Sequence, residues 1–348
     1  MPWTKIYGDK SAFEKAAAES KTPLRGLCYS EALREAQAQL LSSDERVFIM
    51  GEGIDDPGGV FGSTTDLHKE FGDERVFDTP LAENGLTGIA MGAALAGLRP
   101  ILVHMRIDFM PLTMDQIINH AAKWHYMFGG KVHVPLIIRS IVGRGWGSAA
   151  QHSQNLHALF AHVPGLRVVM PTTPYDAKGM LMAASADGNP VIFIEHRWLY
   201  GHMGHVPEEP YTVPIGKAIV RRAGSDVTIA AISHMAAEAT KAAETLAEEG
   251  IEAELIDMRS MRPLDTDTVI ESVKKTGRLI IADTGWKSCG IGAEITTRVV
   301  EEAFGALKAP VVRINTAEVP TPASSVLEDA YYPGASDVVT AAKKLVKA

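Results

Sequence analysis

Runs of four to six apolar residues recur along this chain, each separated from the next by a stretch with helical spacing. That alternation narrows the folds open to it. VFIMG (47–51), PILV (100–103), VPLII (134–138), LRVVM (166–170) and PVIFI (190–194) have the length and branched content of buried strands. Helical stretches lie between them at 83–97, 111–127, 153–162 and 174–186. Another, 29–41, precedes the first strand, with Ser30 placed as an N-cap. Strands and helices in strict turn predict an α/β fold whose mainly parallel sheet is covered on both faces, with right-handed crossovers.

The rhythm breaks at 198–214, where Pro, Gly and His are frequent and no period holds. It then resumes with strands at 227–232, 253–258, 278–283 and 311–314 and helices at 235–249, 267–275 and 291–304. The expected organisation is an N-terminal extension (1–26), a first α/β domain (27–200), a linker (201–214) and a second, smaller α/β domain (215–348). A chain of 348 residues that is 46% apolar can fill two such cores.

Composition excludes several classes. A net charge of −8 does not invite a polyanion, so no nucleic-acid partner is expected. Two cysteines, Cys28 and Cys289, cannot make a disulfide framework and fit a reducing compartment. No apolar run approaches the roughly 18 residues of a membrane span. The first 21 residues have early acids and no apolar core, unlike a signal or transit peptide. A soluble, cytoplasmic protein is the expectation.

Three segments could carry chemistry. In DTPLAENG, Glu83 follows a proline turn and opens a helix rich in Gly and Ala, which suggests that another backbone approaches closely. By spacing alone, the plain reading of Glu83 as an acid favourable at a helix N-terminus outweighs a catalytic one. In QHSQ (151–154), after the glycine-rich loop IVGRGWGSAA, His152 sits where α/β sheets place ligands. It suits proton transfer, and equally suits a loop histidine that caps a helix. In IDFMPLTMDQI, Phe109 could face a flat heterocycle, although a lone aromatic after a strand is usually core. The sequence has no dinucleotide fingerprint, Walker motif, zinc signature or hydrolase elbow.

Longer motifs say more. GEGIDDPGGVFG and DTPLAENGLTGIAMGAALAGLRP, MDQIINHAAK, QHSQNLHALFAHVPGLRVVMPTTPYDAKGMLMAA and NPVIFIEHRWLY together resemble the β subunit of the E1 component of the pyruvate and branched-chain 2-oxo acid dehydrogenase complexes. The match continues through PIGKAIV, IDMRSMRPLD and GWKSCGIGAEI, and covers roughly residues 27–345. The resemblance implies a pyrimidine-binding domain followed by a transketolase C-terminal-type domain.

It also implies thiamine diphosphate as cofactor, with the Glu83 carboxylate on N1′ of the aminopyrimidine. There it favours the imino tautomer that deprotonates the thiazolium carbon. Phe109 falls where the family stacks an aromatic on the pyrimidine, and His152 on its active-site histidine. Leu136, Ala184, Asp187 and Asn189 match positions that bind a structural potassium ion in some members, chiefly through backbone carbonyls. The superfamily's GDG motif for magnesium and diphosphate is absent. The expectation is therefore that an α subunit holds that half of the cofactor, in an α2β2 heterotetramer. Acyl transfer to the lipoyl domain of an E2 acyltransferase would follow.

The chain departs from the family in two places. Val103 replaces a usual acid, and His104 and Arg106 add potential positive charge. Arg144 and Trp146 stand where small residues are usual. Both changes suggest that Arg106, Arg144 and Trp146 bear on the substrate, which is then not plain pyruvate, or that the acceptor is not a standard lipoyl domain; a bulky or anionic group could pair with Arg144 or Arg106. A transketolase-like or acyloin-forming carboligase subunit working with an α partner, and a non-catalytic assembly subunit, are the competing readings.

Overall fold

The structure, a computed structural model, describes residues 2–143 and 147–347. The chain forms two compact units. One comprises Met1–Gly143 and Leu159–Ile215, the other Arg144–Ala158 and Gly216–Ala348. Residues 147–158 thus group with the C-terminal unit.

In the first unit, strand β1 (Gly26–Cys28) leads into helix α2 (Tyr29–Ser43), which follows the amphipathic α1 (Lys10–Glu19). Then come β2 (Val47–Gly51), α3 (Leu67–Phe71), β3 (Val76–Asp78), α4 (Glu83–Leu95), β4 (Arg99–His104), α5 (Ala122–Met127) and β5 (Ile137–Val142). After the segment assigned to the other unit follow β6 (Arg167–Val169), α7 (Pro174–Asp187), β7 (Val191–His196) and β8 (Met203–His205). Strands β6-β7-β5-β4-β2-β3 lie side by side in that order, all parallel. β1 pairs separately with β8, antiparallel.

The order locates a crevice. From β2 the chain moves outward to β3, then returns to place β4 on the other side of β2 and continues to β5. The loops leaving β2 and β4 therefore diverge, and the carboxyl ends of these two neighbours form the switch point at which such sheets take ligands. Gly51 ends β2 opposite Val103 of β4. A Cβ on Gly51 would lie 2.2 Å from the Val103 carbonyl oxygen, so only glycine allows that approach.

Strands β5 and β7 are buried at every position, yet carry Arg139 and Glu195. The pair survives burial because it is fully bonded. Arg139 donates to both Glu195 oxygens (2.6 and 2.9 Å), to Gln37 Oε1 (2.8 Å) and to Ser63 Oγ (2.8 Å), and the Tyr200 hydroxyl donates to Glu195.

The second unit holds β9 (Ile219–Arg222), β10 (Val227–Ala231), β11 (Ala253–Asp257), a short β12 (Ser260–Arg262), β13 (Leu279–Trp286) and β14 (Val312–Thr316). Its five-stranded sheet runs β14-β13-β10-β11-β9, parallel except for β9. Helices α8 (His234–Glu248), α9 (Thr266–Thr276), α10 (Ile291–Ala303), α11 (Ser325–Tyr331) and α12 (Ala335–Lys347) complete it. Ends follow local chemistry. Asp265 caps α9 through the Thr268 N–H, and Gly277 closes it at φ +74°. Among the described residues, no helix is long and apolar enough to cross a membrane.

The elements differ from the sequence pattern in several places. Helix α2 starts at Tyr29 with Cys28 as its N-cap, so Ser30, expected as the cap, lies inside its first turn. The strand expected at 134–138 is Ile137–Val142. Pro135 cannot donate to the ladder, so the strand starts later, and the buried Arg139–Ser140 pair carries it on. The helix expected at 111–127 is a 3-10 segment (Ile107–Thr113), a π-helical stretch (Asp115–Ala121) and then α5. Pro111 inside the first segment lacks the N–H that an α-helix needs. The helix expected at 153–162 is confined to α6 (His157–Ala161).

Candidate active site

Three carboxylates gather at the switch crevice of the first unit. Glu52 directly follows β2, Asp78 ends β3, and Glu83 is the first residue of α4. Asp78 accepts from the N–H groups of Gly53 (2.6 Å) and Ile54 (3.4 Å), which fixes the turn after β2. Glu52 has its pKa pushed above the usual carboxylate value. Burial is the main cause, and the like charges of Glu83 and Asp78 add to it. Glu83 is half-buried at the helix N-terminus, where the backbone dipole favours negative charge. Sequence reasoning singled out Glu83 and missed Glu52. The available signal was an acid immediately after a strand that ends in glycine.

The first turn of α4 is clamped from β4. The Thr87 hydroxyl donates to the Glu83 carbonyl at 2.7 Å. Its proton is thereby committed, so the 3.1 Å contact with His104 Nε2 requires the imidazole to donate. His104 is thus the neutral Nε2–H tautomer, in keeping with burial that lowers its pKa to about 4.

Phe109 and Arg106 lie just beyond β4, in and beside the 3-10 segment that packs against α4. Phe109 is half-buried. The Arg106 guanidinium is buried. It donates to the Gly143 carbonyl at 2.9 Å and stands 5.5 Å from the centre of the Phe61 ring. Glu83, Phe109 and Arg106 therefore belong to one unit and to neighbouring elements.

His152 belongs to the other unit, exposed in a segment, 147–156, whose C-terminal side is buried and tied down. The Tyr332 hydroxyl donates to the Ser153 carbonyl (3.3 Å) and Thr284 donates to Asn155 Oδ1 (3.2 Å). His157 Nε2 lies 3.0 Å from Asp283 Oδ2, both side chains buried. These side chains draw 153–156 out of helical geometry, which explains the shorter α6. A Cβ on Gly285 would come within 2.8 Å of His157, so that neighbour must be glycine. Arg144 and Trp146 lie outside the described residues.

Of the four potassium-site positions, Leu136 and Ala184 are buried. The Leu136 carbonyl accepts the Val191 N–H (2.9 Å). The Asp187 carboxylate is engaged by Asn189 Nδ2 (2.7 Å) and by Arg167 (3.3 Å).

Residues 25–203 match the family model of the transketolase pyrimidine-binding domain, and residues 216–338 that of the transketolase C-terminal domain. The chain is 48% identical to the acetoin:2,6-dichlorophenolindophenol oxidoreductase subunit beta of Cupriavidus necator, over 93% of this chain and 98% of that one. It is 46% identical to the pyruvate dehydrogenase E1 component subunit beta of Rickettsia felis, over 90% and 97%. Among solved structures, a split-gene transketolase described as an inactive β4 tetramer aligns with a TM-score of 0.74 at 26% identity, over 93% of this chain and 99% of that one. The chain belongs to the transketolase-like family and, within it, to the E1 β-subunit group.

Proposed function

We propose that this chain is the β subunit of a thiamine-diphosphate-dependent 2-oxo acid dehydrogenase, competent only when joined by an α subunit. The observation that carries this reading is Glu83, set at the start of α4 beside a switch crevice and next to a second carboxylate of raised pKa. A half-buried acid at a helix N-terminus suits a ring nitrogen that must be held and protonated, and Phe109 on the adjoining segment offers a ring to stack on it. Bound thiamine diphosphate would supply the nucleophilic carbon and the electron sink for decarboxylation.

With the cofactor bound, the Glu83 carboxylate would hold a proton against a ring nitrogen, and Glu52 would limit the negative charge beside it. His152 exchanges protons with substrate or acceptor. The magnesium and diphosphate end falls to the α subunit, in an α2β2 assembly that passes its acyl group to an E2 lipoyl domain. The free Cys28 and Cys289 suit a reducing cytoplasm. A potassium ion near Leu136, Ala184, Asp187 and Asn189 would be bound by backbone carbonyls.

A second reading concerns the substrate alone. The substrate would then be an acyloin such as acetoin, cleaved to give an aldehyde where a 2-oxo acid would give carbon dioxide. The similarity to the Cupriavidus acetoin oxidoreductase subunit favours testing it, whereas His104 and Arg106, expected to add charge for the substrate, are buried and bonded to Thr87 and to the Gly143 carbonyl. The test is reconstitution with an α subunit, then dye reduction with pyruvate, branched 2-oxo acids and acetoin. Glu83→Gln should lower turnover about 10²–10⁴-fold on the preferred substrate. Full turnover by that variant would defeat the assignment of Glu83.

A further inference from the structure

A cavity of about 800 Å³ lies wholly within the second unit, remote in sequence from every residue discussed above as catalytic. One wall is β14. Every residue from Val312 to Glu318 lines it. Successive side chains of a strand point to opposite faces, so a space that touches all of them runs alongside the strand, not over one face. β14 is the edge of its sheet, so alternate N–H and C=O groups on its outer side face this space.

The opposite wall is α12. Asp337, Thr340, Ala341, Lys344 and Leu345 line the cavity, which is the i, i+3, i+4, i+7, i+8 stripe of a single helix face. A strand edge facing a helix across a groove is the geometry in which proteins add an extended peptide as an extra strand.

Charge narrows the occupant. Lys287, Arg313 and Lys344 line the groove, and among the described residues none of them has a carboxylate partner. Two acids also line it. Glu318 accepts the Ser288 N–H and Asp337 the Gly334 N–H. The lining thus holds three cations against two carboxylates, a net charge of +1 on a chain whose net charge is −8. Apolar Ala341 and Leu345 between them suit the intervening side chains of a strand.

We propose that this groove binds an extended, acidic segment of a partner polypeptide, which adds to the sheet as a sixth strand beside β14. The five residues of β14 span about 17 Å, enough to pair with a segment of similar length.

The test uses the full chain and a fluorescein-labelled nonapeptide alternating glutamate and threonine, read by fluorescence anisotropy. Saturable binding is expected, and Arg313→Glu with Lys344→Glu should weaken it at least about tenfold, with unchanged circular dichroism. A peptide of the same sequence carrying N-methyl groups on alternate amides should lose binding to a similar degree. A peptide with lysine in place of glutamate should not bind. The proposal is overturned by any of three results. They are no saturation below about 1 mM, equal binding of the N-methylated peptide, or full competition by citrate, which would mean a simple anion patch.

Discussion

His104 donates its Nε2–H to Thr87 Oγ1 across 3.1 Å, and Thr87 in turn donates to the carbonyl of Glu83. A buried imidazole on one strand thus clamps the turn that carries the candidate catalytic acid. The arrangement works only while His104 is neutral. Protonation would bury a cation and force a second donor on it.

The clamp makes the fold acid-sensitive. The folded pKa of His104, about 4, lies below its ordinary 6.5, so the folded state binds fewer protons than the unfolded chain in that window. Stability is lost as pH falls from about 6.5 toward 4, by about 2 kcal/mol at pH 5. His104→Leu should remove this component. Urea midpoints of both proteins near pH 7 and pH 5 test it, and parallel losses in the two would refute it.

Thr87→Val should act on both stability and turnover. It strands the buried His104 N–H without an acceptor, at a cost of about 1–3 kcal/mol. It also frees the Glu83 turn, so kcat of the αβ enzyme should drop about tenfold. Thr87→Ser keeps the hydroxyl and should restore kcat. If valine and serine give equal rates, the clamp does not position Glu83.

The sheet order's main components were readable because strands buried on both faces leave continuous apolar runs, as at 47–51 and 190–194. The three-residue strands Gly26–Cys28, Val76–Asp78 and Met203–His205 were not, because so few residues give no period and no apolar run marks them as LRVVM marks Arg167–Val169. Glu83 was visible as a helix start, and its role came only from motifs spanning the chain. Glu52 and His104 were harder. Their significance lies in what β3 and α4 bring beside them, which no local spacing encodes. The confinement of α6 likewise depends on Asp283, 126 residues from His157.

Arg139 and Glu195 form the most exposed weakness of the first unit, although both are fully buried. Arg139→Met leaves a carboxylate without its partner and should destabilise by about 3–5 kcal/mol. Adding Glu195→Leu should return part of that loss, because an apolar pair of similar volume needs no compensation. A double variant less stable than Arg139→Met alone would contradict this account.

His157 and Asp283 hold the segment that carries His152. His157→Ala leaves Asp283 only the Gly285 N–H. Hydrogen exchange across 147–156 should quicken, consistent with about 1–3 kcal/mol of local stability, while exchange in β10 stays unchanged. Turnover of the αβ enzyme should fall with little change in its circular dichroism. Unaltered exchange in that segment would show that Tyr332 and Thr284 suffice to hold it.

Glu52 gives the opposite pH dependence to His104. Burial and the charges of Glu83 and Asp78 raise its pKa above the ordinary 4.5, so the folded state holds its proton longer than the unfolded chain. The contribution is therefore present in acid and lost as pH rises through the window just above 4.5. Glu52→Gln removes the charge that is costly at neutral pH while leaving the acid form nearly unchanged in shape. The variant should exceed wild type in urea midpoint near pH 7, and the difference should shrink toward pH 4. Combining it with Glu83→Gln should reduce the gain, because the repulsion is shared between the two carboxylates. A constant offset at both pH values would mean that Glu52 does not feel Glu83, and the coupling inferred at the crevice would be lost.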